Sequence, residues 1–171
     1  MKTVVLLYDT CCIYEIVILN YFLTVTGREV SFVSLDGGKV TAMEGYSIQA
    51  EASLGEVKKE EVELLIVPGG EIGKIDHKEV WDLIAALHKN KQIVAGSCAG
   101  VDVLEHAGIL EEIVSTHSAD LDVAVSDHVV TARANGYVDF AIEVAKEMDL
   151  FEDEADLQET ISFWKEHRSA E

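Results

Sequence analysis

Five residues, Gly96-Ser97-Cys98-Ala99-Gly100, carry the strongest chemical signal in this 171-residue sequence. They join an apolar run to a helix-forming segment in the pattern G-x-C-x-G. That pattern is the cysteine version of a nucleophile elbow, a sharp strand-to-helix turn that lifts a nucleophile above a sheet. Such a turn has no room for flanking side chains, and positions 96, 97, 99 and 100 are all small. A helix that starts after Cys98 points its N-terminus at the sulfur, which favours thiolate. The Ala99 N–H is then free to form half of an oxyanion hole. Taken alone, the five residues also suit a buried cysteine on a glycine-rich turn.

Three further places could serve a thiol. Pro68-Gly69-Gly70 follows another apolar run, and glycines there let backbone N–H groups approach a ligand. Gly70 is the candidate second oxyanion donor. Among the six histidines, His117 follows the apolar segment Ile113–Thr116, which is expected to be a short strand returning it toward the elbow. There it would be the base for the thiol or a satisfied core histidine. Asp120 is a candidate orienting carboxylate for it. Glu15 stands in an apolar stretch, where a carboxylate costs energy unless it is paired or neutral. It reads either as a protonated partner of the thiol, its pKa raised by burial, or as an exposed glutamate on the first turn of a helix. Cys11 and Cys12 adjoin it and read as core residues or as resolving thiols for an oxidised Cys98.

The elements that must position these residues alternate between strands and helices. Thr3–Tyr8, Glu29–Leu35, Val62–Val67, Gln92–Ser97 and Val129–Ala132 read as strands, with weaker ones near Lys39–Met43 and Ser47–Ala50. VELLIV at 62–67 is apolar without alternation, as in a parallel sheet covered on both faces. Helices are expected over Tyr14–Val25, with Asp9-Thr10 as capping residues, and over Ala99–Ala107, closed by Gly108. Apolar stripes through Val80–Leu87, Val138–Ala145 and Leu157–Trp164 predict three more. Glu56–Glu61 reads as a short exposed helix. The alternation predicts an α/β fold, a mostly parallel sheet with helices on both faces, in a single domain spanning residues 1–171. Ligands in such sheets bind beyond the carboxyl ends of strands, where Asp9–Glu15, Pro68–Gly70 and Gly96–Gly100 fall.

Composition bounds the rest. With 13 Lys and Arg against 32 Asp and Glu, the formal net charge is −19. Phosphate contacts need basic residues, so nucleic acid is not an expected partner. Anionic membranes are disfavoured for the same reason. No segment nears the ~20 apolar residues of a membrane span, and a cytoplasmic location is expected. Three cysteines, two of them adjacent, form neither a disulfide framework nor a zinc pattern, so no metal site is expected.

Together these motifs resemble the ThiJ/PfpI superfamily, the class I glutamine amidotransferase-like group of the Parkinson-associated protein deglycase and the PfpI-type intracellular peptidases. The resemblance runs from VVLLYD and Cys12-Ile13-Tyr14-Glu15 through Ile66-Val67-Pro68-Gly69-Gly70 and the elbow. It continues through Ala107–Leu110, Ser115-Thr116-His117 and Val130–Arg133. It implies a flavodoxin-like three-layer sandwich and a homodimer. It also implies Cys98 as reactive thiol, Glu15 as its carboxyl contact, His117 as the family histidine, and Gly70 and Ala99 as oxyanion donors. Isocyanide hydratases of the group carry Thr after the cysteine and Asp at the Glu15 position, so that branch is disfavoured. The expected function is a cofactor-free cysteine enzyme acting on a small carbonyl or amide compound, glyoxalase-, deglycase- or amidase-like. A non-catalytic redox or electrophile stress sensor is the alternative, followed by a chaperone-like binding dimer.

Overall fold

Strands β1 (Lys2–Leu6), β2 (Val30–Ser34), β6 (Val62–Val67), β7 (Ile93–Ser97) and β9 (Val129–Ala132) form the centre of a seven-stranded sheet. Its edges are β5 (Ala52–Ser53) and β8 (Val123–Ser126), in the order β5-β2-β1-β6-β7-β9-β8. All pairings are parallel except β8 with β9. β3 (Lys39–Thr41) and β4 (Ser47–Gln49) make a separate antiparallel hairpin. A computed structural model describes residues 1–169. No helix among them is long and apolar enough to cross a membrane.

The chain leaves β1 in one direction to reach β2 and later takes up the other side of β1 with β6. Right-handed crossovers therefore put α1 (Val17–Val25) and α2 (Lys78–Lys89) on opposite faces. α3 (Gly100–His106) packs with α2, and α4 (Tyr137–Glu147) packs with α1 and α5 (Glu154–Glu166). The core lies between these layers. Val62, Leu64, Leu65, Ile66 and Val67 of β6 are all fully buried, which is why that segment shows no alternation. The flavodoxin-like α/β fold is as expected, and its reversal point falls between β1 and β6. Ligands of doubly wound sheets sit outside the strand ends at that point.

Five local differences from expectation appear. α1 begins at Val17 rather than Tyr14, because the Tyr14 N–H donates to Glu44 (2.7 Å) and Glu15 turns inward instead of joining a helix. Asp9 and Thr10 do not cap α1. Asp9 accepts from the Thr41 N–H (3.0 Å) and pairs with Lys74 (2.7 Å), and the Thr10 hydroxyl accepts from the Glu71 N–H (3.0 Å). These bonds tie the loop after β1 to the loop after β6. Ile113–Thr116 is not a strand. The Ser118 and Ala119 N–H groups both turn back to the Ser115 carbonyl, and the Thr116 N–H goes to the Thr131 hydroxyl (3.0 Å). β8 was not expected; it forms because Asp127 and His128 take positive φ (48° and 63°) and fold it back on β9. The expected helix at 56–61 is two single 3₁₀ turns, Leu54–Glu56 and Lys59–Glu61.

Candidate active site

Three adjacent strand ends build the site: β1 followed by loop 7–16, β6 followed by Pro68-Gly69-Gly70, and β7 followed by Cys98. Cys98 has φ 51°, a left-handed conformation that non-glycine residues adopt at a cost. Its N–H donates to the Ala132 carbonyl of β9 (2.9 Å), and its carbonyl accepts from Val101 (3.0 Å), so the turn is held at both ends. The elbow needs its glycines for packing. A Cβ on Gly100 would stand 2.2 Å from the Val67 carbonyl oxygen. Cys98 itself is exposed, as an elbow nucleophile should be.

Glu15 is 1% exposed. Its Oε2 accepts from the Gly69 N–H (2.8 Å), while Oε1 is buried without a hydrogen-bond partner, as is the Ser97 hydroxyl beneath the elbow. A Cβ on Gly69 would meet the Cys98 Cβ at 2.7 Å and both Glu15 oxygens at 2.8 and 2.9 Å. Thiol-bearing residue and carboxyl group thus meet over one glycine. The reading of Glu15 as an exposed helix residue is excluded. Burial raises its pKa; the Gly69 N–H and the Ser97, Cys12 and Tyr14 side chains around it oppose that rise only in part.

The thiol does not behave as the helix N-terminus alone predicts. Loss of solvent around it, then the Glu15 carboxylate, push the Cys98 pKa up, and Asp102 adds to this. The Ala99 N–H, which faces the sulfur, pulls the other way. A protonated Glu15 would remove the main electrostatic obstacle to the Cys98 thiolate. Gly70, with φ 146°, is pressed against the Thr10 carbonyl, where a Cβ would lie 2.4 Å from the oxygen. Among the described residues its N–H has no backbone acceptor.

His117 stands apart from this pair. Its Nδ1 faces Glu105 Oε2 (3.0 Å) and its Nε2 faces Asp102 Oδ1 (3.3 Å), both on α3. Asp120 is not its orienting carboxylate, because that side chain is solvated and pairs with Arg133 (2.8 Å). Sequence proximity to His117 misled, since the turn at 115–119 aims Asp120 at the β9 end instead. The signal for the true partners was Asp102 and Glu105 at helical spacing just past the elbow. Their ligand atoms and those of His117 lie within 4.8 Å of one another, a spacing that a cation could occupy. The imidazole ring already stands between the two carboxylates, one facing each ring nitrogen.

Sequence reasoning also missed Tyr14 and Tyr8. Burial and Glu15 raise the Tyr14 hydroxyl to about 12, and its ring stacks edge-on to Tyr137 (5.9 Å). Tyr8 is buried, donates to the Pro68 carbonyl (2.7 Å) and fixes the Pro-Gly-Gly turn from below.

Comparison with known proteins agrees with this geometry. Residues 1–147 match the DJ-1/PfpI family. Deglycase TK1284 of Thermococcus kodakarensis is 28% identical over 137 residues, covering 78% of this chain and 80% of that protein. Glutathione-independent glyoxalase DJR-1.2 of Caenorhabditis elegans is 24% identical over 151 residues, 79% of this chain and 81% of that one. The crystal structure of the DJ-1 superfamily protein Atu0886 from Agrobacterium tumefaciens superposes with a TM-score of 0.86 at 25% identity, covering 98% of this chain and 100% of that one. With most of its length matched in sequence and nearly all of it in fold, the chain belongs to the DJ-1/PfpI family.

Proposed function

We propose that this protein is a cofactor-free cysteine enzyme acting on small α-oxoaldehydes; its similarity to proteins named deglycase and glutathione-independent glyoxalase supports the reading. One observation carries the reading: an exposed thiol on a strained elbow beside a buried carboxyl group with an unpartnered oxygen. In this reading the Cys98 sulfur adds to the aldehyde carbon, and negative charge collects on the carbonyl oxygen. The Gly70 and Ala99 N–H groups supply the donors for it. Glu15 moves one proton from the aldehyde carbon to the neighbouring carbonyl carbon, which leaves a thioester on Cys98. Water hydrolyses the thioester to the 2-hydroxy acid. Glu15 suits the proton transfer better than His117 because its Oε1 is uncommitted, whereas both imidazole nitrogens face carboxylates.

The test is lactate formation from methylglyoxal without added thiol. Wild-type protein should produce lactate, and Cys98→Ala should lose about 10³-fold or more in rate, as nucleophile removal does. No lactate from the wild type, or an unchanged rate in the variant, refutes the reading.

We also propose a homodimer formed through α1. Val17, Tyr21 and Val25 lie four residues apart on one stripe of that helix, all exposed, with exposed Phe163 of α5 nearby. Light scattering should give twice the chain mass, and Tyr21→Glu should halve it. A wild-type monomer at micromolar concentration removes the proposal.

A further inference from the structure

Cys12 is the one unusual group in the site that carbonyl chemistry does not use. Its N–H donates to the Gly69 carbonyl (2.8 Å), so it is fastened to the same glycine over which Cys98 and Glu15 meet. Its side chain is partly exposed and faces the Glu15 carboxyl group. Cys11 differs. It is fully buried, and the carboxylates acting on it are Glu44 and Asp9 rather than Glu15. Two thiols, one exposed and one partly so, therefore share one glycine and one carboxyl group, and the third is walled off in the core.

We propose that Cys98 and Cys12 form a redox dithiol that reduces hydroperoxides, with Cys12 as the resolving thiol and Glu15 as the proton carrier for both halves. In the first half the Cys98 thiolate attacks the terminal oxygen of the hydroperoxide. The O–O bond breaks, Glu15 protonates the departing alkoxide to an alcohol, and Cys98 becomes a sulfenic acid. In the second half the Glu15 carboxylate takes the Cys12 proton, and the Cys12 sulfur attacks the Cys98 sulfur. The S–S bond forms, and hydroxide leaves as water with the proton from Glu15. Two electrons pass from the two sulfurs to the peroxide. A small thiol reductant then cleaves the disulfide by exchange and restores both cysteines. Glu15 is needed in the second half because burial and the surrounding acids hold the Cys12 thiol up at about 12, so it ionises only with a base at hand. The same arrangement protects Cys98, since a sulfenic acid that meets a thiol quickly does not proceed to the irreversible sulfinate.

This inference rests on the reading of Cys98 as a reactive thiol, and the experiment separates the two. Reduced wild-type protein receives one equivalent of hydrogen peroxide, is quenched with N-ethylmaleimide, and is digested with trypsin without reduction. The expected product joins the peptide of residues 3–28 to that of residues 92–133 through Cys12 and Cys98, with Cys11 carrying the maleimide. In Cys12→Ser the joined peptide should vanish and Cys98 sulfinate should rise severalfold. Wild-type protein that yields Cys98 sulfinate with both Cys11 and Cys12 alkylated overturns the inference. So does a Cys11–Cys12 bond or a Cys98–Cys98 bond between chains. Iodoacetamide labelling of untreated wild type distinguishes the failures. Labelled Cys98 without a disulfide removes only the dithiol, whereas an inert Cys98 removes the reactive thiol as well.

Discussion

The two acid–base clusters near Cys98 are built on opposite principles. On the inner side Glu15 is dry, has one backbone donor and keeps an unpartnered oxygen, all within contact of the elbow. On the outer side His117, Asp102 and Glu105 form a partly solvated cluster in which each imidazole nitrogen faces a carboxylate. The inner group is costly and uncommitted; the outer one is cheap and fully engaged. An uncompensated buried group persists where it has work to do, and a solvated pair contributes roughly 0–1 kcal/mol. In the proposed reaction the contrast favours Glu15 over His117 for proton transfer and leaves the outer cluster as support for the turn that carries His117.

The sharpest way to break that contrast is Glu15→Gln. The amide keeps the acceptor for the Gly69 N–H and removes the transferable proton. Turnover of an α-oxoaldehyde should fall by about 10²- to 10⁴-fold, the usual worth of a positioned acid or base. Stability should move the opposite way. The pKa of Glu15 is raised on folding above its ordinary 4.5, so the native state binds more protons than the unfolded chain. Wild-type stability therefore declines as pH rises from about 4.5 toward the folded-state pKa. The Gln variant lacks that decline and should melt higher at neutral pH, by about 2–4 °C for each kcal/mol of relieved desolvation. Melting curves at pH 5 and pH 8 for both proteins check the sign. A variant that melts lower at pH 8 than wild type would show that the carboxylate is paired after all.

Gly69→Ala sharpens the same point from the other side. The new methyl group would meet the Cys98 Cβ and both Glu15 oxygens inside 3 Å. Overpacking of this kind costs about 1–3 kcal/mol, so the melting temperature should drop where Glu15→Gln raises it. Turnover should fall in both, because the carboxyl group is displaced in one and disarmed in the other. Equal activity in Gly69→Ala and wild type would mean that the contact over Gly69 has no part in catalysis.

How much of this was legible in the sequence differs between the central strands and the outer turn. β6 was read at its true bounds because a strand covered on both faces is apolar at every position. The elbow was legible because its steric demand is local and falls on neighbouring residues. Ile113–Thr116 looks equally β-like, yet Val114 is exposed, and the Ser115–Ser118 hydrogen bonds turn the chain before a ladder can form. β8 was invisible because its Val-Ala-Val-Ser lies at a sheet edge and closes through Asp127-His128 rather than a glycine turn. Glu15 was singled out from its neighbours' hydrophobicity, but its burial depends on Gly69, 54 residues away. The thiol's upward shift was not legible at all, since it comes first from the burial and then from the Glu15 charge that the fold brings to it.

The smallest expected effects belong to the outer cluster, and they decide whether His117 is catalytic or positioning. His117→Asn removes the ring that stands between Asp102 and Glu105 of α3. Without the ring beside it, Asp102 is freer to act on Cys98, whose pKa it already raises. The expected outcome is a rate within about tenfold of wild type and a modest upward move in the pH profile of Cys98 alkylation. A loss as large as that of Glu15→Gln would make His117 the working base and reverse the assignment. Asp120→Asn is the control from the same turn. Its carboxylate is solvated and touches only Arg133, which keeps Asp122 as a second partner. Stability should stay within about 0.5 kcal/mol and turnover should not change. If Asp120→Asn instead shifted the alkylation profile as His117→Asn does, the turn would be acting on Cys98 through its position rather than through the imidazole ring.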